Sequence, residues 1–262
     1  MTIAVILQPT FLPWIGYFAQ IALADVFVFY DDVQFVRQSF HRRNRIRTPQ
    51  GWKYLSVPVE AGLGDTIAQV RIKYDQPWRE EHRKTLEYCY RKALHFSDHQ
   101  EVLTSLYKFP WKFLGAMTSA QIKTIAEEAG LRSDFVNSRE LGPEGTKTDR
   151  LINTVKMVGA TTYVTGPAAS AYLEPEKFRE AGIDLQWFLF QHPTYEQRFD
   201  GFYPYMTFLD LLFNTGASEA RRLIVEASRN SLSKSLPEGL EASPTLLRES
   251  GKDGGPSNAE GE

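Results

Sequence analysis

Two short apolar segments near the start of the chain most limit the fold that it can adopt. Residues 3–7 (IAVIL) and 26–30 (VFVFY) contain only aliphatic and aromatic residues. Such continuous runs are typical of strands that are covered on both faces, as parallel strands in α/β proteins are. Residues 14–25 between them have the length and the apolar spacing of a helix. The sequence therefore predicts a parallel strand, helix, strand unit with a right-handed connection.

The same alternation returns in the second half of the chain. Strands are predicted at residues 135–138, 162–165 and 184–190, and helices at residues 148–158 and 174–180. Alternating strands and helices are typical of a sheet with helices on its faces. We therefore expect a Rossmann-like α/β fold with a mixed, mostly parallel sheet.

Other segments complete the prediction. Residues 45–59 read as two strands joined by a turn at 49–51, with Pro58 near the end of the second strand. A short strand is predicted at 70–73, and residues 77–130 have helical periodicity throughout. The last helical patterns are 208–214 and 218–227.

The carboxyl-terminal segment differs in composition from the rest of the chain. Residues 231–262 are rich in Ser, Gly, Pro and Glu and contain no aromatic residue. Such a composition favours disorder, because little apolar surface is available for burial. Residues 1–230 are therefore predicted to form a single domain with a helical insert, followed by a disordered tail.

Composition excludes several classes of protein. The single cysteine, Cys89, excludes an internal disulfide and a cysteine-rich zinc site, and it favours a reducing compartment, so the cytoplasm is expected. The sequence contains no run of about 18 apolar residues, so no membrane span is predicted. A net charge of -2 and a single short basic segment argue against nucleic-acid binding. The sequence identifies no metal site and no cofactor, and it leaves the oligomeric state open.

The basic segment is the most unusual part of the composition. Residues 37–47 (RQSFHRRNRIR) contain five arginines, one histidine and no acidic residue. Arginine has a planar fork of donors that suits phosphate or carboxylate, so this segment is a candidate anion site. Alternatively, the arginines form a solvated face or pair with Asp31, Asp32 and Glu60.

Asp31 and Asp32 directly follow the second predicted strand. Ligands of open α/β sheets bind at the carboxyl ends of the strands, so this position favours a role in ligand binding. The two carboxylates could bind a metal together with a phosphate, act as a general base, or accept hydrogen bonds from a substrate. The alternative is a structural role as a cap and an ion-pair partner.

Histidines and loop motifs add weaker candidates. His41 in the basic segment and His192 after a late strand could each serve as a general base. Gly166 follows the strand at 162–165, where free backbone N–H groups could hold an anion. Residues 142–148 (GPEGTKT) do not have the spacing of a phosphate-binding loop, and no G-x-G-x-x-G or G-x-S-x-G motif is present.

Several blocks of the sequence, taken together, resemble one protein family. Residues 8–18 (QPTFLPWIGYF), 30–35 (YDDVQF) and 43–46 (RNRI), followed by 162–167 (TYVTGP) and 202–214 (FYPYMTFLDLLFN), are similar to the WbqC-like family. The resemblance extends over about residues 1–225. It implies a bacterial protein of O-antigen or other surface-polysaccharide biosynthesis.

The resemblance also implies an activity. Some members are proposed to transfer glycine or another aminoacyl or acyl group to an amino sugar, so a nucleotide-linked amino sugar is the expected substrate. Asp31, Asp32 and His41 are the candidates for proton removal from the attacking amine. The candidates for substrate and phosphate binding, which lie mostly in the same blocks, are Gln8, Trp14, Tyr17, Gln34, Arg37, Arg43, Asn44, Arg45, Gly166, Gln197, Asp210 and Asn214.

Two other functions remain open at this point. Nucleotidyl transfer or adenylation is one, because a strand, a proline-flanked turn and a helix loosely resemble the HIGH-motif arrangement, with Trp14 and Tyr17 where that motif has histidines. A non-catalytic ligand-binding protein of polysaccharide assembly is the other.

Overall fold

A six-stranded sheet forms the centre of the fold in a computed structural model that describes residues 1–237. All neighbouring strands are parallel except the pair β9 and β10, which is antiparallel. The prediction of a mixed, mostly parallel α/β sheet is therefore confirmed. In spatial order the strands are β10 (Leu232–Ser233), β9 (Asp184–Phe188), β8 (Thr162–Thr165), β1 (Ile3–Leu7), β2 (Val26–Phe29) and β7 (Asp134–Asn137).

The central strands bury alternate residues in two separate apolar cores. Val5 of β1 and Phe27 of β2 face the larger core, whereas Ala4 and Val28 face the smaller one. Successive side chains of a strand point to opposite faces, so a strand between two layers must be apolar at every position. This explains the continuous apolar runs from which the parallel unit of β1, α1 (Ile15–Leu23) and β2 was predicted.

Helices cover both faces of the sheet. The helical middle of the chain is confirmed, and it packs with α1 and the helix at 208–230 in the larger core, while the helices at 147–157 and 175–180 line the smaller one. The remaining helices are α2 (Trp78–Tyr90), α3 (Phe96–Tyr107), α4 (Leu114–Glu128), α5 (Ser138–Leu141), α6 (Lys147–Met157), a 3₁₀ turn (Pro167–Ala171), α7 (Pro175–Glu180) and α8 (Phe208–Asn230).

Helix α8 joins two segments that were predicted as separate helices. A kink at Gly216, where φ is 77° and ψ is 163°, divides it. A side chain there would lie 3.1 Å from the ring of His95. Glycine is favoured here because it adopts a positive φ without strain and because it leaves room for the histidine ring.

A hairpin stands apart from the central sheet. It consists of β3 (Arg43–Thr48) and β4 (Gly51–Ser56). The second strand was predicted to contain Pro58 near its end, but it ends at Ser56, two residues before the proline. A second small sheet pairs β5 (Val59–Glu60) with β6 (Arg71–Ile72).

Part of the segment predicted as a tail contributes to the central sheet. Leu232 pairs with Phe188, and Ser233 pairs with Trp187. The rest of that prediction, from residue 238 to residue 262, lies outside the described residues. Among the helices of the described chain, none is long and apolar enough to cross a bilayer.

Candidate functional site

Polar side chains that follow three strands meet at the carboxyl edge of the central sheet, and a glycine follows a fourth strand there. Leu7 pairs with Phe29 in the register of β1 and β2, so Gln8 and Asp31 leave the sheet at the same edge. Ser138 and Arg139 follow β7, which pairs with the other side of β2. Gly166 follows β8 on the opposite side of β1. Parallel strands bring these residues to one edge of the sheet.

Asp31 is a buried carboxylate at this edge. It has no exposed surface, and its Oδ2 lies 3.2 Å from Nη1 of Arg139, whose side chain is 40% exposed. Burial raises the pKa of Asp31, and the charge of Arg139 and nearby backbone N–H groups offset only part of that effect. Neither carboxylate oxygen of Asp31 has a hydrogen-bond partner among the described residues. Asp31 is thus a stronger base than an ordinary aspartate.

Asp32 lies beside this pair and makes a second one. Its Oδ1 accepts a hydrogen bond of 2.5 Å from the Ser138 hydroxyl, and its Oδ2 pairs with Nη2 of Arg150. The Arg150 guanidinium also lies over the ring of Tyr30, 5.4 Å from its centroid. Two aspartate–arginine pairs therefore stand next to each other at the end of β2.

The arginines of these two pairs were not among the residues selected from the sequence. Arg139 is in the short helix after β7, and Arg150 is in the first turns of α6. Asp31 and Asp32 were expected to pair, if at all, with arginines of residues 37–47, but the ion pairs that they make are with Arg139 and Arg150. The position of Arg139 directly after a predicted strand was the signal that could have identified it.

His41 is held as a neutral hydrogen-bond donor next to this edge. Its Nδ1 accepts a bond of 3.2 Å from the backbone N–H of Val36, so Nε2 carries the proton and donates to Oε1 of Gln8 at 2.8 Å. Burial lowers the pKa of His41 to about 4. In this arrangement His41 has no free lone pair, and it fixes the orientation of the exposed Gln8 side chain.

Asn44 supports the turn that follows β1. Leu12 in that turn has a φ of 41°, a conformation that costs energy for a residue with a side chain. The buried Asn44 side chain donates from Nδ2 to the backbone carbonyls of Phe11, at 3.1 Å, and Leu12, at 2.9 Å. These contacts give Asn44 a role in maintaining the backbone of the turn.

Trp14 and Tyr17 pack around the start of α1. The Trp14 ring lies over Gly16, where an added Cβ would fall 2.2 Å from the ring. The same ring makes an edge contact with Phe190, with centroids 5.0 Å apart. The buried Tyr17 hydroxyl donates to the carbonyl of Gln8 at 3.2 Å. Tyr17 thus links the start of α1 to the residue that follows β1, and Trp14 packs against a residue after β9.

Three candidates from the later part of the chain, Gln197, Asp210 and Asn214, form a hydrogen-bonded network at the start of α8. Oδ2 of Asp210 accepts hydrogen bonds from the Tyr195 hydroxyl, at 2.6 Å, and from Nε2 of Gln197, at 2.8 Å. Asn214 donates to the Asp210 carbonyl at 2.7 Å. Burial raises the pKa of Asp210 to about 6, although its hydrogen bonds and the positive charge of Arg47 act in the other direction.

The remaining candidates lie at the surface or along the hairpin. Gln34 and Arg37 are exposed, and Nη2 of Arg37 donates to the carbonyl of Ala61 at 3.3 Å. Gly166 precedes the 3₁₀ turn and has open space around it. Arg43 and Arg45 lie on one face of β3 beside aromatic side chains of β4.

His192 is bonded at both ring nitrogens. Its Nδ1 donates to the carbonyl of Pro193 at 2.7 Å, and its Nε2 accepts from the backbone N–H of Tyr205 at 3.1 Å. Burial lowers the pKa of His192, and the bond to Pro193 offsets only part of that effect. Because both ring nitrogens are already bonded, neither is free to act as a base. Within residues 1–237, no three His, Cys, Asp or Glu side chains cluster as metal ligands would.

Residues 8–222, which include the edge of the sheet, the hairpin and most of α8, match the sequence profile of the WbqC-like protein family. The chain belongs to this family. It is 34% identical over 215 residues to the uncharacterized protein Rv1507c of Mycobacterium tuberculosis, a match that covers 81% of this chain and 93% of that protein. No solved structure matches.

The WbqC-like match begins at Gln8, the first residue after β1. Three of the blocks that suggested the family are in contact in the fold. The backbone N–H of Phe208 donates to the carbonyl of Pro13 at 2.7 Å, and the N–H of Thr207 donates to the carbonyl of Arg45 at 2.9 Å. The family's most distinctive sequence therefore surrounds one side of the carboxyl edge.

Proposed function

We propose that this protein is a transferase of surface-polysaccharide biosynthesis that binds its substrate at the carboxyl edge of the sheet. The substrate is a nucleotide-linked amino sugar, and the group transferred is a small aminoacyl or acyl group. Family membership supports the biosynthetic setting, and the chemistry of the edge supports the reaction.

The buried carboxylate of Asp31 is the observation that carries the proposal. A general base is most effective when its pKa approaches the working pH, and burial raises the pKa of Asp31 in that direction. Its ion-pair partner, Arg139, is on a four-residue helix and is partly exposed. A substrate ammonium group that replaced this guanidinium would lie directly on the base.

The groups next to Asp31 are placed where they could orient a polar substrate. Asp32 is already fixed by Ser138 and Arg150, so it needs no rearrangement to accept a hydrogen bond from a sugar hydroxyl. Gln8 is exposed at the end of β1 and is held by His41. A guanidinium displaced from Asp31 would be free to bind a phosphate of the nucleotide.

The sugar ammonium gives one proton to Asp31, and the resulting amine attacks the carbonyl carbon of an activated acyl donor, such as an ester, thioester or acyl phosphate. A C–N bond forms and the bond from carbon to the leaving group breaks. The leaving group departs with the electron pair of the broken bond, and the second proton lost by the nitrogen goes to that leaving group or to water. No oxidant or reductant is required.

Titration calorimetry with UDP-linked amino sugars, followed by an assay of acyl transfer, tests the proposal. Asp31→Asn should reduce the rate of transfer at least a hundredfold while weakening substrate binding less, because the base acts in the chemical step. Asp25→Asn is the matched control, since Asp25 precedes the same strand at its opposite end. Arg139→Met should weaken nucleotide-sugar binding about tenfold. Arg132→Met is the control and should not weaken binding, because Arg132 precedes β7 whereas Arg139 follows it.

Three results would argue against the proposal. Transfer activity that survives Asp31→Asn would remove the base assignment. Binding without turnover, with any activated donor, would favour a non-catalytic ligand-binding protein. ATP–pyrophosphate exchange would favour adenylation instead.

A further inference from the structure

Arg45 differs from the other arginines of residues 37–47 in what its guanidinium contacts. Each of the other four donates at least one hydrogen bond to a backbone carbonyl. Those bonds are Arg37 to Ala61, Arg42 to Arg37 and Val57, Arg43 to Gln38, and Arg47 to Thr48, Gly51 and Asp200. Among residues 1–237, the Arg45 guanidinium makes neither a hydrogen bond nor an ion pair; its Nε is buried without a partner.

This unpaired cation is nevertheless enclosed. Arg45 is 9% exposed, and burial lowers its pKa. Its Cζ lies 5.3 Å from the ring centroid of Trp52 and 6.0 Å from that of Tyr205. Aromatic faces attract a cation, but they replace only part of the hydration that burial removes. A charge of this kind is costly unless an anion completes it.

The surrounding rings form a platform next to the guanidinium. Tyr205 is 43% exposed, and its ring lies 5.3 Å from that of Trp14, which follows β1. The Tyr205 backbone has a φ of 61°, and His192 holds its N–H in place. This position therefore places an exposed aromatic face beside a buried guanidinium at the carboxyl side of the sheet.

We propose that Arg45, Trp52 and Tyr205 form a binding site for an oxyanion that is carried on a ring-bearing ligand. The anion binds to the Nη atoms, which are the part of the guanidinium that remains open, while the ring of the ligand stacks on Tyr205. The anion is a phosphate of a nucleotide or a carboxylate of a sugar acid. The site is built from the hairpin and the segment before α8, so it does not depend on the transferase proposal.

Titration calorimetry with UDP, uridine, pyrophosphate and glucuronate tests this site. UDP should bind more tightly than pyrophosphate if the anion is a phosphate, and glucuronate should bind if it is a carboxylate. Either Arg45-dependent result supports the site. Uridine alone should bind at least tenfold more weakly than UDP.

The variants compare neighbouring arginines of the same strand face. Arg45→Met should reduce the affinity for the anionic probe at least tenfold, and Arg45→Lys should restore only part of it, because lysine lacks the planar fork. Arg43→Met, two residues away on β3, should change the affinity less than twofold. Tyr205→Ala should weaken UDP more than it weakens pyrophosphate.

Stability separates this site from a structural role of Arg45. Removal of an unpaired buried charge should leave the melting temperature of Arg45→Met unchanged or higher than that of the wild type, in buffer without phosphate. A large fall in melting temperature would show that the guanidinium supports the fold, and it would overturn the proposal. Equal binding of the probes to wild type and Arg45→Met would also overturn it, as would the absence of binding by every anionic probe. The difference in affinity between wild type and Arg45→Met is measured without an acyl donor and without turnover, so failure here and failure of the transferase proposal are distinguishable.

Discussion

Asp210 makes a specific prediction about how stability depends on pH. Its carboxylate is completely buried, Oδ2 accepts hydrogen bonds from Tyr195 and Gln197, and Oδ1 has no well-aligned partner. Burial raises its pKa from 3.8 to about 6 in the folded protein. The unfolded chain therefore ionises this group at a lower pH than the folded chain does.

The sign and the size of the effect follow from this difference. Well below pH 3.8 both states are protonated, and Asp210 does not change the free energy of unfolding. Between about pH 4 and pH 6 the unfolded chain releases this proton while the folded chain keeps it, so stability falls as the pH rises and levels off above pH 6. A difference of about 2 pKa units corresponds to about 3 kcal/mol, of which about 2.5 kcal/mol develops between pH 4 and pH 7.5.

Urea unfolding of the wild type and Asp210→Asn at several pH values measures this contribution. Asparagine keeps an acceptor for Tyr195 and Gln197 and cannot ionise. We expect the stability of the variant, relative to the wild type, to rise by about 2 to 3 kcal/mol from pH 4 to pH 7.5. Asp184→Asn is the control, because Asp184 also accepts a hydrogen bond from a glutamine but is exposed. A stability difference between Asp210→Asn and wild type that does not change with pH would refute the reasoning.

Three other variants test the region after β1. Gly16→Ala forces the Trp14 ring away and should cost about 1 to 3 kcal/mol in urea unfolding, whereas Gly166→Ala, with open space around it, should cost less than about 0.5 kcal/mol. Asn44→Ala leaves two backbone carbonyls without their donor and should cost about 2 to 4 kcal/mol. The pKa of His41 is lowered to about 4, so its contribution is complete above pH 6.5 and is lost as the pH falls toward 4; His41→Gln should remove about 3 kcal/mol of this acid sensitivity. Unchanged acid sensitivity in that variant would contradict the neutral, buried state of His41.

The central strands could be predicted because their environment leaves a local signal. A strand between two helical layers has apolar residues on both faces, and β1 and β2 each retain that signal over four or five residues. The two residues of β10 have no such signal. They pair with β9 because the long α8 returns the chain to the sheet, which is a property of the whole fold.

The pairing of charges at the candidate site could not be predicted from local sequence. Asp32 and Arg150 are 118 residues apart, and their contact depends on the order of strands in the sheet. In the basic segment, by contrast, strand periodicity does place Arg43 and Arg45 on one face. Strand periodicity does not decide which of these two keeps a free guanidinium. Arg43 bonds to Gln38 in the same segment, whereas Arg45 lies beside Tyr205 from a distant part of the chain.

The blocks that identify the family contain both scaffold and candidate site, and the contacts separate the two. Asn44 bonds to the turn after β1, and the backbone of Phe208 bonds to Pro13, so these positions hold the blocks together. The side chain of Arg45 takes no part in these bonds, although its carbonyl accepts one from Thr207. The Arg45 side chain packs against Trp52 and Tyr205 but makes no hydrogen bond, so methionine, which keeps the apolar stem, should preserve stability. Arg45→Met should therefore affect ligand binding first, whereas substitution of Asn44 should affect the fold first.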